Sequence, residues 1–256
     1  MTEGIVLIEP QWPAPDSIRA AVTTRRGGIS TGCWQGLNLG THVGDEYAAV
    51  VANRQTIRES LSLPSEPIWL NQVHGTQVVE VTAETDHLPT ADASISRHAG
   101  TVCAVMTADC LPLLLCDQQG KEWAAVHCGW RGLCDGLVQK AVSRFKAAPE
   151  QLLAWMGPAI GQASFQVGQE VRDAFTAAAP SLAISDKLSQ AFIEDSSAPD
   201  RYLADLYSIT HTLLNAANVT AVYGGGFDTY TDAERFYSYR RDGQTGRFAT
   251  LIWARS

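Results

Sequence analysis

The stretch TVCAVMTADCLPLLLCDQQGKEWAAVHCGWRG, residues 101–132, decides the fold. It holds three nearly continuous apolar runs, at 101–107, 113–116 and 123–127. Runs this short, with no polar alternate face, are the pattern of strands buried on both sides. Further strand-like runs lie outward from this centre. QVVEVT (77–82) precedes it, and LLAWM (152–156), 219–223 and 249–253 follow. Leu133, Leu137, Ala141 and Phe145 recur every fourth residue, with Lys140, Arg144 and Lys146 off that face, which predicts a helix. Residues 167–179 predict a second helix. Residues 202–217, with Leu203, Leu206, Thr210 and Leu213 on one side, predict a third. Strands outnumber helices and do not alternate with them as regular βαβ units. The expected class is therefore α+β (mixed α/β), with layered sheets sandwiched by helices.

The composition narrows the function. The 256 residues include 19 Lys plus Arg against 27 Asp plus Glu, a formal charge of −8. An acidic chain is a poor general binder of nucleic acid or acidic membranes. No repeat, charge block or low-complexity linker divides the chain, so residues 1–256 are expected to form a single domain. No stretch approaches the ~20 apolar residues that span a bilayer. The apolar run from Ile5 to Ile8 follows Glu3 and is too short for a signal-peptide core. These features predict a cytoplasmic protein with reduced thiols. None of the cysteines (Cys33, Cys103, Cys110, Cys116, Cys128 and Cys134) forms a CxxC pair, and the default for each is a small buried apolar residue.

Three segments could carry chemistry, each at the edge of a predicted strand: Asn71-Gln72-Val73-His74-Gly75, Thr107-Ala108-Asp109-Cys110, and His127-Cys128-Gly129-Trp130-Arg131-Gly132. His74, Cys110 and His127 would make a mixed imidazole and thiolate site with an open position, as catalytic zinc requires. No local ligand spacing joins them, so only tertiary structure could assemble them. Singly, each is more often a hydrogen-bonded or packed core residue. Arg131 opens a predicted helix and is a candidate for binding an anion. A second arginine group, Arg235, Arg240, Arg241 and Arg247, is interleaved with Phe236, Tyr237 and Tyr239, and suits either a base or phosphate site or a solvated hairpin rim. Thr23–Gly28 and Leu37-Asn38-Leu39-Gly40 read as turns. Walker, GxGxxG, HExxH and GxSxG motifs are missing.

Taken in order, TTRRGGIS, LNLGTHVGD, NQVHG, TADCLPLLL, VHCGWRG and ERFYSYRRDGQTGR resemble the YfiH-type family, also called the multicopper polyphenol oxidase (laccase) domain family. The resemblance implies a cysteine-hydrolase-like topology and a zinc held by His74, Cys110 and His127, with copper as the alternative metal. It implies phosphorolysis of adenosine, inosine and methylthioadenosine, with adenosine deamination as a further activity. A purine nucleoside and phosphate would be the small-molecule partners of a monomer or homodimer. Asn71 and Gln72 are then candidates for substrate hydrogen bonds, Arg131, Arg240 and Arg241 for phosphate or base, and Asp109 for proton transfer. Two departures from the family pattern are Cys128, where alanine is frequent, and Asp228, where cysteine is frequent. An amidase acting on peptidoglycan precursors, with Cys110 as nucleophile and His127 as base, is the alternative. Laccase chemistry fits less well, because the chain has no His-X-His pair and only six histidines.

Overall fold

A computed structural model describes residues 4–85, 88–179 and 181–255. Glu3 and His87 lie outside the described residues. In chain order the strands are β1 (Leu7–Ile8), β2 (Ile18–Thr23), β3 (Val78–Glu80), β4 (Ala93–Ser96), β5 (Val102–Thr107), β6 (Leu111–Asp117), β7 (Trp123–Cys128), β8 (Leu152–Met156), β9 (Gln166–Gly168), β10 (Phe192–Glu194), β11 (Arg201–Ala204), β12 (Ala221–Gly224) and β13 (Phe248–Ala254). The helices are α1 (Tyr47–Ser60), α2 (Trp130–Cys134), α3 (Leu137–Val142), α4 (Gln169–Ala178), α5 (Leu182–Ser189), α6 (Leu206–Ala216) and α7 (Tyr239–Asp242).

Two sheets form the centre, ordered β1-β2-β13-β5 and β12-β8-β6-β7-β4-β3. The period-two alternation of strand side chains assigns each residue to a layer. Leu114, Cys116, Trp123, Ala125, Leu153 and Trp155 of the six-stranded sheet meet Val22, Cys103, Val105, Phe248 and Ile252 of the four-stranded sheet. On the far face of the six-stranded sheet, Leu113, Leu115, Val126 and Ala154 pack against α3, α4 and α6. On the far face of the other sheet, Ala104, Met106, Leu251 and Trp253 pack under Leu37, Leu39 and Ile57 of α1. The result is helix, sheet, sheet, helix, the layered α+β arrangement expected. The uninterrupted apolar runs follow from it, since β5, β6, β7, β8 and β13 are buried on both faces.

Three helix expectations need correction. The 133–145 helix breaks at Gly136, whose left-handed φ of 86° ends α2 before α3 begins. Residues 202–204 of the expected 202–217 helix belong instead to β11, because that strand pairs with both β9 and β10 in a separate three-stranded sheet. α6 starts only after Asp205, whose carboxylate accepts hydrogen bonds from the amides of Tyr207 and Ser208. Val167 likewise belongs to β9 rather than to the following helix. Cys103 and Cys116 are buried, and burial pushes both thiols up to about 12. Cys33 is exposed, contrary to the packing default. Among the described residues, no helix is long and apolar enough to cross a membrane.

The site is placed by one crossing. β5 belongs to the four-stranded sheet and β6 to the six-stranded sheet, so residues 108–110 carry the chain between layers. Antiparallel pairing of β6 with β7 sets Pro112 opposite His127. Leu114, fully buried between the two sheets, tests the sandwich. Leu114→Ala is expected to lower unfolding free energy by about 2–5 kcal/mol, read as a lower urea midpoint with little change in slope.

Candidate metal centre and cavity

His74, Cys110 and His127 converge, with ligand atoms all within 4.8 Å of one another. Cys110 Sγ lies 3.7 Å from His74 Nε2. Tetrahedral zinc with ordinary Zn–N and Zn–S bonds sets neighbouring donors about 3.6 Å apart, so that pair already has a bridging separation. The His74 and His127 rings meet edge to face, with centroids 4.8 Å apart. Two imidazoles, one thiol and an open side fit a catalytic zinc.

Asp92 organises the centre, and sequence reasoning missed it. Its side chain is fully buried. Oδ1 lies 2.8 Å from His127 Nδ1 and accepts the His74 amide at 2.9 Å. Oδ2 accepts the amides of Gly75 (2.6 Å) and Val73 (3.3 Å). The Asp92 carbonyl accepts the His127 amide at 2.7 Å. With Nδ1 donating to Asp92, the proton-free Nε2 of His127 is the atom available to a metal. The same carboxylate holds His74 in its left-handed turn, φ 58°. The glycines of GWRG follow from this approach. A Cβ on Gly129 would lie 2.6 Å from the His74 ring, and one on Gly132 would lie 2.8 Å from the Gly75 carbonyl.

Electrostatics reinforce the geometry. Burial raises the Asp92 pKa, but the His127 hydrogen bond and charge and the loop amides outweigh it, and the net shift is downward. Burial also pushes the Cys110 thiol up. The charge and hydrogen bond of His127, with the lesser contribution of His74, reverse this and bring it to about 6. The thiolate and Asp92 in turn raise His127 against its burial.

The three donors open into a cavity of about 510 Å³, within the roughly 300–1,000 Å³ range of small-molecule sites. Trp130, Ile160, Phe165, Leu206 and Tyr239 give it an apolar, largely aromatic wall, and His42, Arg131, Arg240 and Arg247 line it with cationic or imidazole groups. Arg131 is exposed and lies over the Trp130 ring at 4.4 Å. Its helix, α2, has only five residues. Arg240 lies 5.3 Å from the Phe165 ring centre and donates to the Gln166 carbonyl.

Other expected residues serve the frame. Gln72 lines the cavity, but its amide both donates to and accepts from the Met106 backbone at 2.8 Å, which ties the loop to β5. Asn71 donates to Thr90 Oγ1 and does not line the cavity. Asp109, at φ 92°, accepts Thr229 Oγ1 and the Arg240 amide, both at 2.7 Å. Arg241 turns away, donating to the carbonyls of Thr229, Tyr230 and Phe236. Cys128 is buried in the helix-facing core. Asp228 clamps a loop, accepting from the Gly161 and Tyr230 amides and Ser164 Oγ. Neither joins the metal-capable group. His42 was also missed. A signal for Asp92 does exist: the triplet Thr-Ala-Asp occurs at 90–92 and again at 107–109, each time at the entry to a strand.

Residues 19–255 match the family described as multi-copper polyphenol oxidoreductase laccase, and the chain belongs to that family. Among its relatives, the purine nucleoside phosphorylase YfiH of Escherichia coli (strain K12) is 49% identical over 247 residues, covering 96% of this chain and 98% of that protein. The purine nucleoside phosphorylase PA4543 of Pseudomonas aeruginosa is 48% identical over 246 residues, covering 96% and 97%. The crystal structure of the Neisseria meningitidis protein NMB0706, described as DUF152, superposes with a TM-score of 0.90 at 43% identity, covering 98% of this chain and 99% of that one.

Two outcomes follow from the Asp92 network. Asp92→Asn places an amide NH₂ against backbone donors and frees the His127 ring, so zinc affinity should fall about 10–100-fold, measured by competition with a chromogenic chelator. In metal-free protein, Cys110 alkylation by iodoacetamide should rise with pH through about 6, because the thiolate reacts and its lowered pKa brings it in early. A midpoint near the ordinary thiol value would contradict the His127 pairing.

Proposed function

We propose that the chain is a zinc-dependent purine nucleoside phosphorylase acting on adenosine, inosine and methylthioadenosine, which also deaminates adenosine to inosine. One domain, residues 1–256, would carry the activity in the cytoplasm. The observation that supports it best is the convergence of His74, Cys110 and His127 on a cavity with an aromatic wall and several cationic side chains, in a chain whose relatives bear the phosphorylase name.

The reaction asks for three things. A phosphate oxygen bonds to the sugar C1′ while the bond from C1′ to the purine breaks. The base leaves with the bonding electrons and takes a proton. Trp130, Phe165 and Tyr239 offer ring faces suited to a flat purine. Arg131, Arg240 and Arg247 are the cavity-lining arginines from which an anionic co-substrate could draw charge, whereas Arg241 and Asn71 act through the loops they secure. Asp109 has both oxygens engaged, which suits positioning of Arg240 better than proton relay. Gln72 holds the His74 loop against β5. A metal on the three ligands would supply Lewis acidity, toward phosphate in phosphorolysis and toward the attacking water in deamination. Deamination would add water at C6 of the base and release the amine as ammonia, the water's protons passing to the base and to the leaving amine.

A second reading keeps one observation of its own. Cys110, His127 and Asp92 form a thiol, imidazole and carboxylate series, and the thiol is lowered to about 6. That is the arrangement of a cysteine amidase, with a peptidoglycan precursor as the amide substrate. Copper-dependent phenol oxidation, the activity in the family description, has less support because no His-X-His pair is present.

Metal and thiol separate these readings. Cys110→Ser and His74→Ala should each lose stoichiometric zinc and lower inosine phosphorolysis by at least about 100-fold, followed as ribose 1-phosphate formation. Undiminished turnover after zinc is lost would sink the phosphorylase proposal. Covalent trapping of Cys110 by an amide-derived electrophile, in protein that purifies without zinc, would favour the amidase.

A further inference from the structure

The turn Leu37-Asn38-Leu39-Gly40 and the segment leading into β13 lie far apart in sequence, and the site described above gives neither a role. Asn38 joins them. Its Oδ1 accepts the amides of Gly40 (3.0 Å) and Arg247 (2.8 Å), and its Nδ2 donates to Asp45 Oδ2 at 2.8 Å. Leu39 N donates in turn to the Arg247 carbonyl. Asn38 is itself fully buried. The Arg247 stem then passes directly over Gly40, where a Cβ would lie 2.9 Å from Arg247 Cγ. This staple brings His42 and Arg247 together on the cavity lining beside Cys110 and His127.

Arg247 is partly buried, and its guanidinium is only half used. Nη1 donates to the carbonyls of Thr245 (3.0 Å) and Gly246 (2.9 Å). Among the described residues, Nε and Nη2 make no hydrogen bond, and no carboxylate pairs with the group. Asp109, the acidic residue lining the cavity, has both oxygens engaged by Thr229 and Arg240. A guanidinium fixed by backbone carbonyls, with its remaining donors unpaired in a cavity, is poised for a tetrahedral or planar oxyanion. His42 adds a ring nitrogen to the same wall. Burial and the charges of Arg247, Arg54 and His127 favour its neutral form, which still donates one N–H.

We infer that Arg247 and His42 form the oxyanion subsite of the cavity, with Arg247 as its principal contact, rather than the exposed Arg131. The inference rests on the phosphorylase reading only for naming that oxyanion as phosphate. The Arg247 guanidinium also lies 6.0 Å from the Tyr239 ring centre, so the oxyanion would sit between that ring and the metal-capable residues, leaving Trp130 and Phe165 to the base.

The test uses the zinc-loaded full chain and inorganic phosphate. Arg247→Gln should raise the KM for phosphate at least about tenfold, as expected for loss of a charge-assisted hydrogen-bond pair. The KM for inosine should stay within about twofold. Phosphate binding by calorimetry, with and without a non-cleavable nucleoside, should weaken in parallel. Arg247→Lys, which keeps the charge without the fork, should fall between wild type and Arg247→Gln. His42→Gln should weaken phosphate by a smaller factor. Arg255→Gln, on a separate surface cavity, controls for net charge and should change neither constant. If Arg247→Gln melts like wild type yet keeps phosphate KM and binding unchanged, the inference is overturned. If Arg247→Gln fails to fold, an Arg247→Lys variant with wild-type phosphate KM and binding overturns it equally. Arg247-dependent phosphate binding by a wild-type protein that cleaves no nucleoside would uphold the subsite and refute the phosphorylase reading.

Discussion

One buried carboxylate holds the site together. Asp92 sits at the entry to β4 and receives hydrogen bonds from the 73–75 loop and from the His127 ring, while its own carbonyl pairs with the His127 backbone. A carboxylate with no solvent access is costly unless its oxygens are satisfied. Here the donors that satisfy it also position two of the three candidate ligands. Stability and ligand geometry are therefore coupled: the loop that carries His74 closes because Asp92 needs its amides, and the His127 tautomer is fixed for the same reason. The third candidate ligand, Cys110, comes from the crossing between sheets, so bringing the three together depends on the packing of both sheets.

Asp109 repeats the device on the other side of the cavity. It ends a second Thr-Ala-Asp triplet, adopts a positive φ, and joins two distant segments, Thr229 and the start of α7 at Arg240. Non-glycine residues held at positive φ next to functional groups are a common form of stored strain. The strain is supported by burial of the carboxylate and by the sheets that fix residues 107 and 111. The cavity thus lies between two carboxylates that face protein donors rather than solvent, and among the described residues no salt bridge pairs an acid with Arg131, Arg240 or Arg247.

Much of this was legible in the chain, unevenly. The central strands were readable because burial on both faces removes polar residues from 101–107, 113–116 and 123–127. The three candidate ligands were readable as residue types at strand ends, the family resemblance joined them, and the fold brings them together. The helix ending at Gly136 and the strand at 201–204 were not. A helical repeat of Leu and Ala continues across Gly136, and only the backbone conformation breaks it. The 201–204 segment becomes a strand through pairing with β9 and β10, which no local pattern announces. Asp92 and His42 were hidden for a related reason, since their roles come from contacts with segments distant in sequence. Arg240 and Arg241, adjacent in the chain, looked equivalent, yet one lines the cavity and the other caps loop carbonyls.

The net charge of −8 and a cationic cavity coexist because they act over different ranges. Exposed acids are screened beyond about 8 Å at physiological salt. Charges lining a half-enclosed cavity are screened less and act at close quarters. The downward shift of His42 reflects this, with burial as its largest cause and Arg247, Arg54 and His127 as the charges that add to it. The downward shift of Arg247 has burial as its main cause, opposed by the charges of Cys110 and Asp109. Burial alone disfavours a charge of either sign, so only the contributions of Arg247, Arg54 and His127 to the His42 shift speak for an anion there. A net negative charge disfavours polyanions in general, whereas arginines lining a half-enclosed cavity can still attract a small anion at short range.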